Sequence, residues 1–251
     1  MTELPPEIGN WTELRSIDLS GNRLTELPPE IGNLTLLDYL DLSGNHLTEL
    51  PPEIGNLGRR SSRFMLNLSR NCLAELPPEI GRLTQLTYLE LQNNYLSKLP
   101  LEIGNLAALK KLDVRYNNLP KLPSTIGNLK KLTELDISFT HLSELPPEIG
   151  KLTLLENLYI RYNNLSKLPS EIGSLTQLTH LDMENNNLSE LPPEIGNLEK
   201  LVSLGIENSS LSELPVEIGN LNKLERLTID ADVRIPNSCT TQITITHPVV
   251  L

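Results

Sequence analysis

One pattern returns ten times along the chain at a period of 23 residues, and no other feature constrains the fold as much. A clear copy runs Leu14-Arg15-Ser16-Ile17-Asp18-Leu19-Ser20-Gly21-Asn22-Arg23-Leu24 and continues as Leu27-Pro28-Pro29-Glu30-Ile31-Gly32-Asn33-Leu34. Later copies place the same asparagine at Asn45, Asn71, Asn94, Asn117, Asn163 and Asn186. The first half of each copy alternates, as in Leu40-x-Leu42, which predicts a short strand with one buried face. A Leu-Pro step then stops the strand, because proline has no amide hydrogen to give to a ladder. Pro-Glu-Ile-Gly-Asn-Leu predicts a tight, helix-like return, with glycine permitting the bend. In the second copy Leu37, Leu40, Leu42, Leu47, Leu50, Ile54 and Leu57 point inward. A single repeat cannot enclose these side chains, whereas stacked neighbours enclose them for one another. The repeated asparagine is expected to bond backbone groups where the chain leaves the strand, forming a ladder along the stack.

The wording Leu-Pro-Pro-Glu-Ile-Gly-Asn-Leu, at Leu27 to Leu34, Leu50 to Leu57 and Leu191 to Leu198, resembles the 23-residue leucine-rich repeats of intracellular proteins. That class includes the Ras-group-related repeats of plants, the animal Ras-pathway scaffolds and many bacterial proteins. The Gly-x-Ile-Pro step of the 24-residue plant receptor class is absent. The resemblance covers Leu4 to about Pro236 and implies an α/β horseshoe solenoid. One parallel sheet would line the concave face, and short helical or irregular turns the convex face. Residues 1–236 would form ten strands starting in mid-repeat, with 237–251 as a capping tail. For function the resemblance implies a non-enzymatic protein–protein interaction module, a scaffold or adaptor, holding a protein on the concave sheet. It points to a small-GTPase-pathway component as that partner. The alternative is a recognition fragment of a larger signalling enzyme whose catalytic domain lies outside this chain. Fold alone does not choose between them.

The formal net charge is −11, which argues against a nucleic-acid partner. Much of that acidity is architectural. Glu7, Glu30, Glu53, Glu79, Glu102, Glu148, Glu171, Glu194 and Glu217 recur at the start of the return helix, where negative charge is favoured. No stretch approaches 18 apolar residues, so no membrane span is expected. Met1 opens directly into the repeat without a signal peptide, which favours the cytoplasm. Cys72 and Cys239 give no disulfide framework and, seven repeats apart, are expected to remain unbonded. The histidines have no metal-ligand spacing, and no phosphate loop or dinucleotide fingerprint occurs, so no cofactor is expected. His180, Ser203 and Asp182 are the one constellation that resembles a catalytic set. An open regular sheet offers such a set no oxyanion site and no water-excluding pocket. Six glycosylation sequons, at Asn10, Asn33, Asn67, Asn164, Asn187 and Asn208, arise from the repeat wording itself.

The repeat breaks in a few places. Leu40 and Leu66 are 26 residues apart, so three extra residues lie within Gly58-Arg59-Arg60-Ser61-Ser62-Arg63. Arg63 stands where the repeat wants leucine, and a bulged, solvated loop is expected, with Phe64 or Met65 replacing the lost contact. The segment reads as a tolerant insertion, and Arg-Arg-Ser-Ser also spells a basophilic kinase site at Ser62. The asparagine is replaced by Thr140, Ser209 and Asp232, each still able to meet backbone groups. Trp11 occupies a core position at the open first layer, where either it closes the stack or the true cap is missing from this sequence. Thr241 to Thr246 alternates like an edge strand covering the last repeat.

Aromatic residues are scarce, nine in all. Tyr116, Phe139 and Tyr162 occupy one position in three successive repeats, flanked by Arg115 and Arg161, with Tyr159 and Tyr88 nearby. Strands about 4.8 Å apart would bring these residues into one concave patch. Tyrosine and arginine are enriched at binding hot spots, so this is the candidate partner site. The competing reading has the aromatics shielding the strand-exit turn and packing on the asparagine ladder. Lys98, Lys121 and Lys167 line the adjacent edge of an otherwise acidic face.

Overall fold

The computed structural model describes residues 1–236 and 244–246. Eleven parallel strands form one sheet in chain order, each paired with its sequence neighbours. They are β1 (Ser16–Asp18), β2 (Tyr39–Asp41), β3 (Phe64–Asn67), β4 (Leu86–Glu90), β5 (Lys111–Asp113), β6 (Glu134–Asp136), β7 (Asn157–Tyr159), β8 (His180–Asp182), β9 (Ser203–Gly205), β10 (Arg226–Thr228) and β11 (Thr244–Thr246). Every strand centre expected from the alternation falls in β1 to β10, with leucine or isoleucine opposite leucine across each pair, as in Ile17↔Leu40 and Leu135↔Leu158. Ten strands lie within residues 1–236, and the edge strand expected between Thr241 and Thr246 brings the sheet to eleven. Thr244–Thr246 lies parallel to β10, pairing Leu227 with Ile245, and adds an eleventh edge strand. The rest of the expected tail, and Cys239, lie outside the described residues.

Opposite the sheet, each repeat makes a five-residue 3-10 helix, such as Pro29–Asn33. Two local facts produce it. The preceding proline is already extended, with φ −69° and ψ 147° at Pro28, and its carbonyl accepts from Ile31 N at 3.0 Å. The next proline sits at the first helical position, where its missing amide hydrogen leaves nothing unsatisfied. Each glutamate of the recurring column stands in the first turn, as Glu30 does. Neighbouring helices meet backbone to backbone. A Cβ on Gly32 would stand 2.6 Å from the Glu53 carbonyl oxygen, which is why glycine recurs there.

Between sheet and helices lies one continuous core. Leu37, Leu40, Leu42, Leu47, Leu50, Ile54 and Leu57 are all buried, and the same set repeats along the stack. The asparagine ladder forms. Asn45 donates through Nδ2 to the carbonyls of Leu19 (2.9 Å) and Leu42 (3.0 Å) and accepts from Leu24 N at 3.0 Å. Asn71, Asn94, Asn117, Asn163 and Asn186 make equivalent bonds. At Thr140 the hydroxyl stands 2.8 Å from Ile137 O and 3.0 Å from Asn163 Oδ1, two acceptors that share its single hydrogen.

Two expectations change. Trp11 does not close the first layer: it is 60 % exposed, whereas its repeat equivalent Leu34 is buried. Leu34 is covered from both sides of the stack, and Trp11 has a neighbouring layer on one side only. The insertion is also less open than a solvated bulge. Gly58, in left-handed conformation at φ +57°, turns the chain sharply. Arg60 N donates to Thr35 O at 2.9 Å, and the buried Ser61 hydroxyl lies within reach of the Asp38 carboxylate and the Arg63 carbonyl, to one of which it donates its single hydrogen. Phe64 is fully buried in the place Arg63 cannot fill, and the register shift falls between Phe64 and Met65. The three extra residues are thus absorbed by a turn tied to the previous repeat. Ser62 is exposed beside Arg59, Arg60 and Arg63.

Candidate protein-binding face

Where the chain leaves each of β1 to β9, one position has left-handed backbone. Glycine holds it at Gly21 and Gly44, with φ +64° and +65°, and asparagine at Asn93, Asn185 and Asn208, with φ +58°, +56° and +52°, while Arg70 holds it after β3 at φ +55°. Both residue types tolerate this conformation. In the middle repeats the position is held by Tyr116, Phe139 and Tyr162, with φ +55°, +57° and +53°. An ordinary L-residue there costs about 1–2 kcal/mol, and bulky side chains are outliers. The geometry aligns the three rings. Tyr116 and Phe139 stack with centroids 4.4 Å apart at 17°, and Phe139 and Tyr162 at 4.3 Å and 12°. These separations match the spacing of neighbouring strands, about 4.8 Å. Tyr116 and Tyr162 remain 46 % and 48 % exposed, with Phe139 half-buried between them. The rings border a shallow recess of about 550 Å³, shared with His141, Asn164 and Asn185.

The arginines beside the stack are held by carboxylates of the sheet. Arg115 meets Asp113 at 3.2 Å and Asp136 at 3.6 Å, and Arg161 meets Asp182 at 3.5 Å. Ser138 stands between them in the same column, buried, and its hydroxyl has no hydrogen-bond partner among the described residues. Burial, reinforced by the charge of Asp136, pushes the Asp113 carboxyl up to about 6. Burial and then Glu184 raise Asp182. Tyr159, half-buried between Asp136 and Asp182 in the register, is raised by burial and by the acids around it. Lys98 and Lys121 are exposed and paired with Glu75 (3.5 Å) and Glu144 (3.1 Å).

The candidate residues therefore divide. Arg115, Tyr116, Phe139, Arg161 and Tyr162 come together at the strand-exit rim, and Tyr159 lies within the sheet beside them. Tyr88 does not join. It lies within β4, just before the central Leu89, whereas Tyr116 lies beyond its strand and follows the central Leu112 by four residues. Tyr88 instead joins Met65 and Tyr39, which face one another through the register Tyr39↔Met65↔Tyr88. These three line a recess of about 110 Å³ with Asn67 and Glu90. The sequence reading missed this group, although the outward column preceding the central leucine, with Tyr39, Met65 and Tyr88 in successive repeats, carried the signal. A second missed feature links three repeats. Thr228 Oγ1 donates to Glu184 Oε1 at 2.9 Å, passing over Gly205, where a side chain would block it.

His180 Nδ1 lies 2.9 Å from the Thr179 hydroxyl, and no bond joins it to Ser203 or Asp182. Among the described residues no three His, Cys, Asp or Glu side chains gather to hold a metal, and no helix is long and apolar enough to cross a membrane.

Family models agree with this architecture. A leucine-rich repeat region matches residues 65–142 and 171–245, a leucine rich repeat matches 130–188, and a two-copy leucine rich repeat model matches 12–54. The chain is a leucine-rich-repeat protein. A comparison with curated proteins gives no match. Among solved structures, this leucine-rich-repeat protein is similar to a plant peptide hormone receptor, RGFR1, solved in complex with RGF2. The identity is 34 %, the TM-score is 0.81, and the match covers 94 % of this chain and 41 % of that one. A TDR receptor matches at 28 % identity and TM-score 0.81, covering 96 % of this chain and 44 % of that one. The functional domain of InlJ from Listeria monocytogenes matches at 27 % identity and TM-score 0.78, over 96 % and 50 %. The chain thus spans half or less of the length of these neighbours. Leucine-rich repeats commonly mediate protein–protein interaction, including in receptor ectodomains that bind peptides.

Proposed function

We propose that this protein is a non-catalytic binding module that takes a protein or peptide partner on its concave sheet, with Tyr116, Phe139 and Tyr162 as the anchoring contact and Arg115, Tyr159 and Arg161 beside it. One observation carries this reading. An exposed aromatic stack occupies three successive left-handed backbone positions, which the other repeats up to β9 fill with glycine, asparagine or, once, Arg70. Backbone strain of this kind concentrates at functional sites, and aromatic and arginine side chains dominate binding energy. The similarity to a receptor solved with RGF2 supports a peptide or protein as the ligand class.

The 23-residue spacing and its Leu-Pro-Pro-Glu-Ile-Gly-Asn-Leu wording support a cytoplasmic scaffold or adaptor of the Ras-group-related class. By that resemblance a small-GTPase-pathway component is the partner to try first.

The test is quantitative capture of interacting proteins by the wild-type chain and by a Tyr116→Asn, Phe139→Asn, Tyr162→Asn variant. Asparagine is the repeat's own occupant of the position, so the melting temperature should hold. Loss of the captured partner with the fold intact is the expected result. Undiminished capture would place the partner on another surface.

A further inference from the structure

The concave face carries two apolar sites rather than one, the first within the strands just before their central leucines and the second beyond the strand exits, in neighbouring repeats. The first is the recess of Tyr39, Met65 and Tyr88, on β2 to β4. Tyr88 is 40 % exposed, and the other two are half-buried. The second is the ring stack after β5 to β7. Their centres, Met65 and Phe139, are separated by three strands in the register and by five positions along the strand. At about 4.8 Å per strand and 3.3 Å per residue this is a diagonal of roughly 20 Å, the length of about six extended residues.

The ground between the two sites is acidic. The outward columns of β1 to β10 carry ten aspartates and glutamates against four lysines and arginines. Three of those four cations are already engaged: Lys111 with Glu134 at 3.0 Å, Arg115 with Asp113 and Asp136, and Arg161 with Asp182. Along the diagonal lie Glu90, Asp113, Glu134 and Asp136 against only Lys111 and Arg115. A matching occupant is therefore apolar at two points and basic between them.

We infer that the concave face holds an extended basic segment of the partner along this diagonal, with one apolar side chain in the Tyr39–Met65–Tyr88 recess and a second, about six residues away, on the Tyr116–Phe139–Tyr162 stack. The inference rests on the concave-face reading above and adds the partner's chemistry, its conformation and the spacing of its anchors. Linking two modest sites through one chain makes the second contact intramolecular, so affinity depends steeply on whether the spacer fits.

The experiment is selection of a displayed peptide library on the purified full chain. Library members carry two aromatic residues separated by three to ten positions, with the intervening positions drawn from Lys, Arg, Ser, Thr and Gly. Recovered clones should cluster at spacings of five to seven and be enriched in Lys and Arg. A synthetic representative should bind at least 10-fold more weakly to Tyr88→Thr, which keeps strand propensity, and separately to Phe139→Asn. Binding should weaken as salt is raised. If binding is abolished by Asp136→Lys but is indifferent to spacing, or is lost through only one of the two aromatic sites, the two-anchor inference fails and concave-face binding stands. If recovered peptides respond to no concave substitution, both readings fail. A library from which nothing is enriched would also overturn the inference, leaving a folded surface as the occupant.

Discussion

The amide of Leu119 donates to the backbone carbonyl of Thr140 at 2.8 Å. In neighbouring repeats the equivalent amide donates to an asparagine side chain, as Leu96 does to Asn117 and Leu142 to Asn163. Threonine is too short to reach, so the peptide after it turns to present its own carbonyl. The consequence appears one residue later: His141 takes φ +63°, a second left-handed residue unique to this repeat among the described residues. Thr140→Asn should restore the side-chain bond and release His141. A gain of about 1 kcal/mol in urea unfolding is expected, from removal of the left-handed backbone. A loss of stability would mean that the altered turn is preferred by its surroundings.

The two kinds of glycine should respond differently to alanine. At Gly104 an added Cβ would stand 2.5 Å from the Thr125 carbonyl oxygen, which is fixed backbone. Gly104→Ala must push adjacent layers apart and should cost about 1–3 kcal/mol or more, as overpacking does. At Gly205 the nearest atom is Glu184 Oε1 at 2.9 Å, the end of a flexible chain. Gly205→Ala should displace Glu184 from Thr228 and cost about 1 kcal/mol, the worth of one hydrogen bond. Parallel thermal melts of the two variants decide the point; equal losses would contradict it.

Asp113 makes stability depend on pH. Its folded carboxyl titrates at about 6, above the 3.8 of the free group. Between these values the folded protein keeps a proton that the unfolded chain has released. The contribution of this group is therefore greatest below about pH 4, falls as pH rises through 6, and stays low above that. Asp113→Asn removes the penalty and still offers an oxygen to Arg115 N, which Asp113 now accepts at 3.2 Å. The variant should be about 1–2 kcal/mol more stable than wild type near pH 7.5, below the full worth of the shift because the Arg115 ion pair is lost. The advantage should vanish near pH 4. Unfolding curves at the two pH values check both the sign and the window.

Tyr162→Asn separates binding from folding. Asn185 and Asn208 hold the same backbone conformation in later repeats, so the melting temperature should be unchanged or slightly raised. Partner affinity should fall by about 1–2 kcal/mol, roughly tenfold, as for a hot-spot residue. If the variant loses stability instead, the ring is a cover for the turn, packed against Asn163 and Asn164.

The solenoid was legible because its information is periodic. Each leucine is specified by the same neighbours in every layer, so the alternation around Leu40 also locates Leu112 and Leu227. What escaped was whatever depends on a departure from the period. Phe64 could be named as a replacement for the missing leucine, but not the Gly58 turn and Ser61 bonds that hold the insertion down. The exit-turn aromatics could be aligned by counting, whereas their left-handed backbone and face-to-face contact required coordinates. Tyr88 was assigned to the wrong neighbours, since column membership alone does not weigh distance along the strand. The span from Thr228 to Glu184 lies beyond nearest-neighbour reasoning, because it exists only through the missing side chain of Gly205.

The close approach of Gly32 to the Glu53 carbonyl, repeated from layer to layer, has a consequence for shape. A solenoid bends toward its sheet when the elements on its back are wider than the strands on its front. Full α-helices, about 10 Å across, force a tight arc against strands about 4.8 Å apart. Here the back consists of 3-10 helices touching through glycine, so it is narrower per repeat and imposes a gentler bend than full α-helices would. A shallow arc does not grip a globular body from two sides. It offers a long, open track of eleven strands, on which many small contacts in sequence replace one deep enclosure.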